Sequence, residues 1–291
     1  MKDARFDDAT LLVLAHGSTV NAASGAPARL LAAALRERRL FAAVHECYWQ
    51  QAPQLTEVLA ATHSPRVFVV PLFVGEGYLV DDVIPRALGL KAGGTGDFPR
   101  AWRQGGSVCH YCRPVGTHPG MTDVLLARAQ DVVAKHPFPR QPKPAETALF
   151  VVGHGTERTS ASRTAVEHQV RAIRARPLYA EVHAAFMEVR PNLSECYTLA
   201  QARHLVVVPF FISDGLHVVE DLPVLLGESA AAVQQRLSQG LPTWRNPTQW
   251  QGKLIWYAPG LGTEPLLTHV ILQRVEEAAA DERSEEQPGR R

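Results

Sequence analysis

The chain has 291 residues, 46% of them apolar and 20% charged, with a formal charge of +1. That balance fits a soluble globular protein of about two domains, and no basic arm or basic-aromatic interleaving points to nucleic acid. The start lacks the apolar core of a signal peptide, runs such as Val67 to Val74 are too short to span a membrane, and four cysteines are too few for a disulfide scaffold. A cytoplasmic protein with reduced thiols is expected.

Thr10 to Leu14 is an apolar run that ends in His16-Gly17 after Ala15 and reads as a buried strand. Ala26 to Arg38 follows as a helix with Leu30, Leu31, Ala34 and Leu35 on one face. A strand near Ala43 to Trp49, a helix opened by Pro53 and the β-branched run Val67 to Val70 complete the pattern. The same order then returns. Strands are expected near Ala148 to Val152, Glu181 to Met187 and Leu205 to Pro209, with Pro191 opening the helix between the last two. Continuous apolar strands spaced by helices predict α/β architecture: two tandem similar domains, each a parallel four-stranded sheet flanked by helices, related by a pseudo-two-fold around a cleft.

The repetition is in register. His16 and His154, Pro53 and Pro191, Gly77 and Gly215, and Pro85 and Pro223 are each 138 positions apart. Tyr111, Gly116 and Pro119 match Tyr257, Gly262 and Pro265 at an offset of 146, so the second copy carries eight more residues between Pro223 and Tyr257, expected as a surface loop. The first copy spans 1–138, a Pro-rich linker 139–146 and the second copy 147–280, leaving 281–291 as a tail expected to be disordered.

The copies differ where chemistry would sit. Glu188 in the second copy replaces Gln50 of the first, His217 replaces Leu79, and Asp221 replaces Val83. The second copy therefore owns His154, Glu188 and His217, each at or beyond the carboxyl end of a different predicted strand. In open parallel sheets ligands bind in that crevice. Two neutral imidazoles and a carboxylate suit a borderline divalent metal, with positions left for a substrate nitrogen or water. The bland reading of a single His at a strand end is a hydrogen bond to the next turn, and it leads for His16, whose partners are missing. His45 and His183 match each other and read as satisfied core histidines, while Glu220 and Asp221 suit the positive end of a helix.

The strand followed by His-Gly-Ser/Thr, the Glu two residues after Phe186, and Gly215-x-His217-x-x-x-Asp221-x-Pro223 together resemble the class II tetrapyrrole chelatases, specifically the sirohydrochlorin chelatases in their long, tandem form. The match covers about residues 10 to 135 and 147 to 275. The resemblance implies an enzyme that inserts a divalent metal, Co²⁺, Fe²⁺ or Ni²⁺, as substrate into a tetrapyrrole of cobalamin or sirohaem biosynthesis, with no permanently bound cofactor. It implies His154 and His217 as the active pair and Glu188 as the acid, for metal binding and proton removal. Arg158, Arg163 and Arg190 are candidates for substrate carboxylates, with His16 as a wall of the cleft. Fused copies can satisfy each other, so a monomer is compatible with the sequence.

Other readings stay open. A non-enzymatic metal or tetrapyrrole carrier would use the same ligands without turnover. A serine hydrolase finds no Gly-x-Ser-x-Gly elbow. Cys109-His110-Tyr111-Cys112 has the form of a metal or redox motif, yet it aligns with a predicted strand, where residues three apart face opposite sides.

Overall fold

The computed structural model describes residues 4–19, 22–91, 97–156 and 161–285. Strands β1 (Phe6–Ala15), β2 (Phe41–Tyr48), β3 (Arg66–Pro71), β4 (Ala101–Gln104) and β5 (Ser107–Tyr111) alternate with α1 (Ala26–Glu37), α2 (Leu55–Ala60) and α3 (Ile84–Ala87), followed by α4 (Met121–Lys135). The second copy repeats the order as β6 (Thr147–Gly153), α5 (Ala161–Arg174), β7 (Glu181–Phe186), α6 (Cys196–Leu199), β8 (His204–Pro209), α7 (Leu222–Leu225), α8 (Ala230–Ser238), β9 (Thr248–Trp250), β10 (Lys253–Tyr257) and α9 (Leu267–Glu285).

Each sheet has five strands, in the orders β2-β1-β3-β5-β4 and β7-β6-β8-β10-β9. Four strands run parallel, as the apolar runs predict; the fifth is an antiparallel edge strand absent from the expectation of four. Its origin is a two-residue turn. Gly105 and Gly106 (φ +57° and +89°), and Gln251 and Gly252 (φ +47° and +76°), supply the consecutive positive φ values that a tight hairpin requires. The central strands β1 and β6 are buried almost throughout, which accounts for their lack of polar alternation.

The chain divides into two compact units, one of residues 1–118 with 265–291 and the other of residues 119–264. This partition differs from the sequence boundaries at 138 and 147. The last helix of each copy changes places: α4 packs on β8 and β10 of the second unit, and α9 on β3 and α1 of the first. Val124, Leu125, Ala129 and Val132 of α4 and Val270, Ile271 and Val275 of α9 are buried there. Part of the expected tail is also corrected. Residues 281–285 continue α9, and 286–291 lie outside the described residues. Among the described residues no helix is long and apolar enough to cross a membrane.

Candidate active site

In the second unit β6 lies between β7 and β8, so the carboxyl ends of three neighbouring strands open on one crevice. His154 follows the last residue of β6. Glu188 is two residues past β7, and His217 begins a turn after β8. The segment 210–216 is brought back by Phe210 N donating to Val152 O at 2.7 Å and by Gly260 N donating to the Asp214 carboxylate at 2.6 Å.

The His-Gly pair is set by local geometry. Gly155 has φ +65°, and a Cβ there would lie 2.6 Å from Cβ of Phe186; Gly17 matches it with φ +69°. Only glycine takes that turn against the neighbouring strand without strain. The chain leaving the glycine exposes the imidazole at the sheet's end.

The structure brings the predicted trio together. The rings of His154 and His217 meet edge to face with centroids 4.9 Å apart, and Oε1 of Glu188 is 3.6 Å from Nε2 of His154. Phe211 backs His217 at 6.3 Å between centroids. Both histidines are accessible, His154 at 34% and His217 at 50% of side-chain surface. Among the described residues no three His, Cys, Asp or Glu side chains form a ready-made cage for a metal.

His217 to Asp221 is a π-turn in which Leu222 N reaches back to His217 O, a feature often found at functional sites. Tyr257 Oη donates to Val218 O at 2.6 Å and anchors it; burial pushes this hydroxyl's pKa up, keeping it a donor. The first copy builds the same turn at Leu79–Val83 with Tyr111 Oη on Val80 O at 3.0 Å. The scaffold is thus shared, and the side chains of the candidate site are not. Sequence reasoning found Asp221 as a column where the copies differ but gave it no role beyond a helix start, yet its Oδ2 lies 2.7 Å from Nδ1 of His217. The i, i+4 spacing, together with the joint loss of both residues in the first copy, was the available signal.

The eight extra residues do not make a surface loop. Their stretch carries α8, capped by Ser229 Oγ accepting from Ala232 N. Ala230, Val233 and Gln234 of α8 face Met187, Val224 and Leu225 across a cavity of ≈ 400 Å³ whose rim includes Glu188, Glu220 and Asp221. A larger cavity of ≈ 630 Å³ lies in the first unit against α9; its lining includes His110 and Cys112 of the Cys-x-x-Cys segment but not His16, the first unit's candidate residue.

The remaining predicted residues are dispersed. Arg190 is 88% exposed and 3.4 Å from Glu195; Arg163 pairs with Glu167 at 2.8 Å and lies over the Phe186 ring. Arg158 lies outside the described residues. His16 belongs to the first unit, where its Nδ1 donates to Gly17 O at 2.8 Å. His45 is exposed rather than a core residue, whereas His183, on the matching edge strand β7, is half-buried, stacked on Phe150 and bonded to Glu181 at 2.9 Å. Cys109 and Cys112 are buried free thiols, which burial pushes up to about 11 and about 12, respectively. Neither offers a thiolate near neutral pH.

The CbiX family description matches residues 10–132 and again 148–278. The probable sirohydrochlorin cobaltochelatase of Halobacterium salinarum is 36% identical over 285 residues, covering 93% of this chain and 91% of its own. Among solved structures, a multi-domain Deinococcus radiodurans protein, described as similar in structure to chelatases with two additional domains, matches 93% of this chain at 31% identity and a TM-score of 0.73. This chain spans only 54% of that protein. SirB from Bacillus subtilis, solved with Fe³⁺, has the same fold at 15% identity and a TM-score of 0.67, over 95% of this chain and 97% of its own. A family description matched twice, over nearly the whole chain and in register with the repeat, places this protein in the CbiX family.

Proposed function

We propose that this protein is a metal chelatase that inserts Co²⁺ or Fe²⁺ into sirohydrochlorin or a closely related tetrapyrrole of cobalamin or sirohaem biosynthesis. The observation that carries the reading is the meeting of His154, His217 and Glu188 at adjacent strand ends in one copy of a CbiX-family chain. The divalent metal is a substrate and leaves inside the product.

Insertion replaces two pyrrole N–H bonds with metal–nitrogen bonds and releases two protons, so the site needs donors that bind the cation loosely and bases that accept protons. Imidazoles with an ordinary pKa of about 6.5 are largely neutral near pH 7 and serve in either role. We assign His154 and His217 to metal binding and proton removal, and Glu188 to accepting a proton or a metal bond. We assign Arg190, exposed two residues beyond Glu188, to a substrate carboxylate, with Arg163 and Arg158 as further candidates. Buried free thiols suit a reducing compartment, and we place the reaction in the cytoplasm.

The test is anaerobic absorbance of sirohydrochlorin with Co²⁺, Fe²⁺ or Ni²⁺ in turn, using catalytic amounts of wild type, His154→Ala and His217→Ala. Many turnovers in wild type, lost in both variants, are expected. A single stoichiometric event identifies a carrier. Faster insertion of Ni²⁺ than of the others identifies a nickel chelatase, since ligand type alone does not separate these metals.

A further inference from the structure

His217 and Asp221 face each other across the π-turn, with Nδ1 2.7 Å from Oδ2. An ionised carboxylate only accepts hydrogen bonds, so Nδ1 carries the hydrogen in this contact. A neutral imidazole protonated on Nδ1 keeps its lone pair on Nε2. His154 has no equivalent restraint from Glu188, because 3.6 Å is too long for a hydrogen bond.

Comparison of the copies shows that this pair is separable from the fold. The first copy makes the same π-turn, anchors it with the corresponding tyrosine and enters α3 through the same Pro, with apolar Leu79 and Val83 at the two positions. That copy still carries Asp81 and Asp82, so carboxylates favouring the turn are retained. What disappears together is the histidine and the carboxylate that contacts it. A role for Asp221 confined to starting the helix leaves this joint loss without a reason.

We propose that Asp221 is a positioning residue that locks His217 in the Nδ1–H tautomer and aims Nε2 as the only lone pair the ring can offer to the incoming metal or a pyrrole proton. Carboxylates behind metal-binding histidines act in this way, and their loss costs about 10- to 100-fold in affinity or activity. Asp221 is half-exposed, so its removal perturbs stability little. The kinetic consequence rests on the chelatase reading, whereas the tautomer does not.

The experiment uses the full chain with ¹⁵N-labelled histidine, without metal or tetrapyrrole, and two-bond ¹⁵N–¹H spectra at one pH above the titration of the imidazoles. His217 is assigned by loss of its signals in His217→Gln. Wild type is expected to show the Nδ1–H pattern, Asp221→Ala a shift toward Nε2–H, and Asp221→Glu partial recovery. In turnover, Asp221→Ala is expected to lower kcat by about 10- to 100-fold with KM for sirohydrochlorin changed by less than about twofold, and Asp221→Glu to restore part of it. An Nε2–H pattern in wild type, an unaltered tautomer in Asp221→Ala, or an unchanged kcat overturns the proposal. Should wild type not turn over sirohydrochlorin, the chelatase reading fails and the spectra alone decide the tautomer; turnover by a wild type with Nε2–H His217 keeps the chelatase and removes the role of Asp221.

Discussion

The amide of Glu188 donates to the carbonyl of His154 at 3.2 Å, so the strand end that presents the imidazole also fixes the start of the loop that presents the carboxylate. In the first copy Gln50 N makes the same bond to His16 O at 2.8 Å. The backbone is therefore equally prepared in both copies, and the carboxylate is the difference. Glu188→Gln, which installs the residue of the first copy, is expected to leave the fold intact and lower turnover by about 10²- to 10⁴-fold, the span of a lost acid–base group. Steady-state chelation with an unchanged circular-dichroism spectrum checks this; turnover equal to wild type removes Glu188 from the chemistry.

Gly155 makes a second test, of placement rather than chemistry. A Cβ at this residue meets Phe186 at 2.6 Å while the backbone is held at φ +65°. Gly155→Ala is expected to cost roughly 1–3 kcal/mol in urea unfolding and to reduce turnover by displacing His154. Gly17→Ala, which meets Tyr48 Cβ at 3.0 Å and Gln51 Cγ at 2.8 Å, is expected to cost similar stability with little effect on turnover. Equal kinetic effects of the two substitutions would argue against the assignment of the site to the second copy.

Much of this arrangement is legible in the sequence because it depends on local pattern. Buried runs such as Val67 to Val70 fix parallel strands, and a repeat in register exposes Glu188, His217 and Asp221 as columns where the copies disagree. The edge strands escaped because Ala101–Gln104 and Thr248–Trp250 are short and half-exposed, although Gly105-Gly106 carries the signal of a hairpin turn. α8 is announced only by the Ser229 cap and the alanines that follow it, a local signal in a stretch whose extra length fits a loop equally well. The exchange of α4 and α9 could not be read at all. An apolar stripe such as Val124, Leu125 and Val132 states that a helix is covered, but not by which sheet.

That exchange rests partly on a buried arginine. Arg274 of α9 donates through Nε and Nη2 to Pro114 O at 3.1 and 2.9 Å and through Nη2 to Thr117 Oγ1 at 2.7 Å. Arg274→Met fills similar space but leaves buried acceptors without their donor, at a cost of about 1–3 kcal/mol for each such group. A loss of roughly 3 kcal/mol in urea unfolding is expected, with faster hydrogen exchange in α9 than in α4. A loss under about 1 kcal/mol would show that apolar packing alone holds this helix.

His118 lies beside that arginine and gives the first unit a pH dependence of definite sign. Burial and then the positive charge of Arg274 push its imidazole pKa below the ordinary 6.5, only partly opposed by Glu277 at 3.4 Å. A depressed histidine stays neutral in the folded chain while the unfolded chain takes up a proton. Stability is thus fully present above about pH 6.5 and is lost as the pH falls through the folded-state value, because the unfolded state binds more protons in that window. His118→Gln removes this proton uptake. Urea midpoints measured from pH 7.5 to 5 are expected to fall more steeply for wild type than for His118→Gln. A steeper fall in the variant would mean that Glu277 stabilises the imidazolium more than burial and Arg274 oppose it.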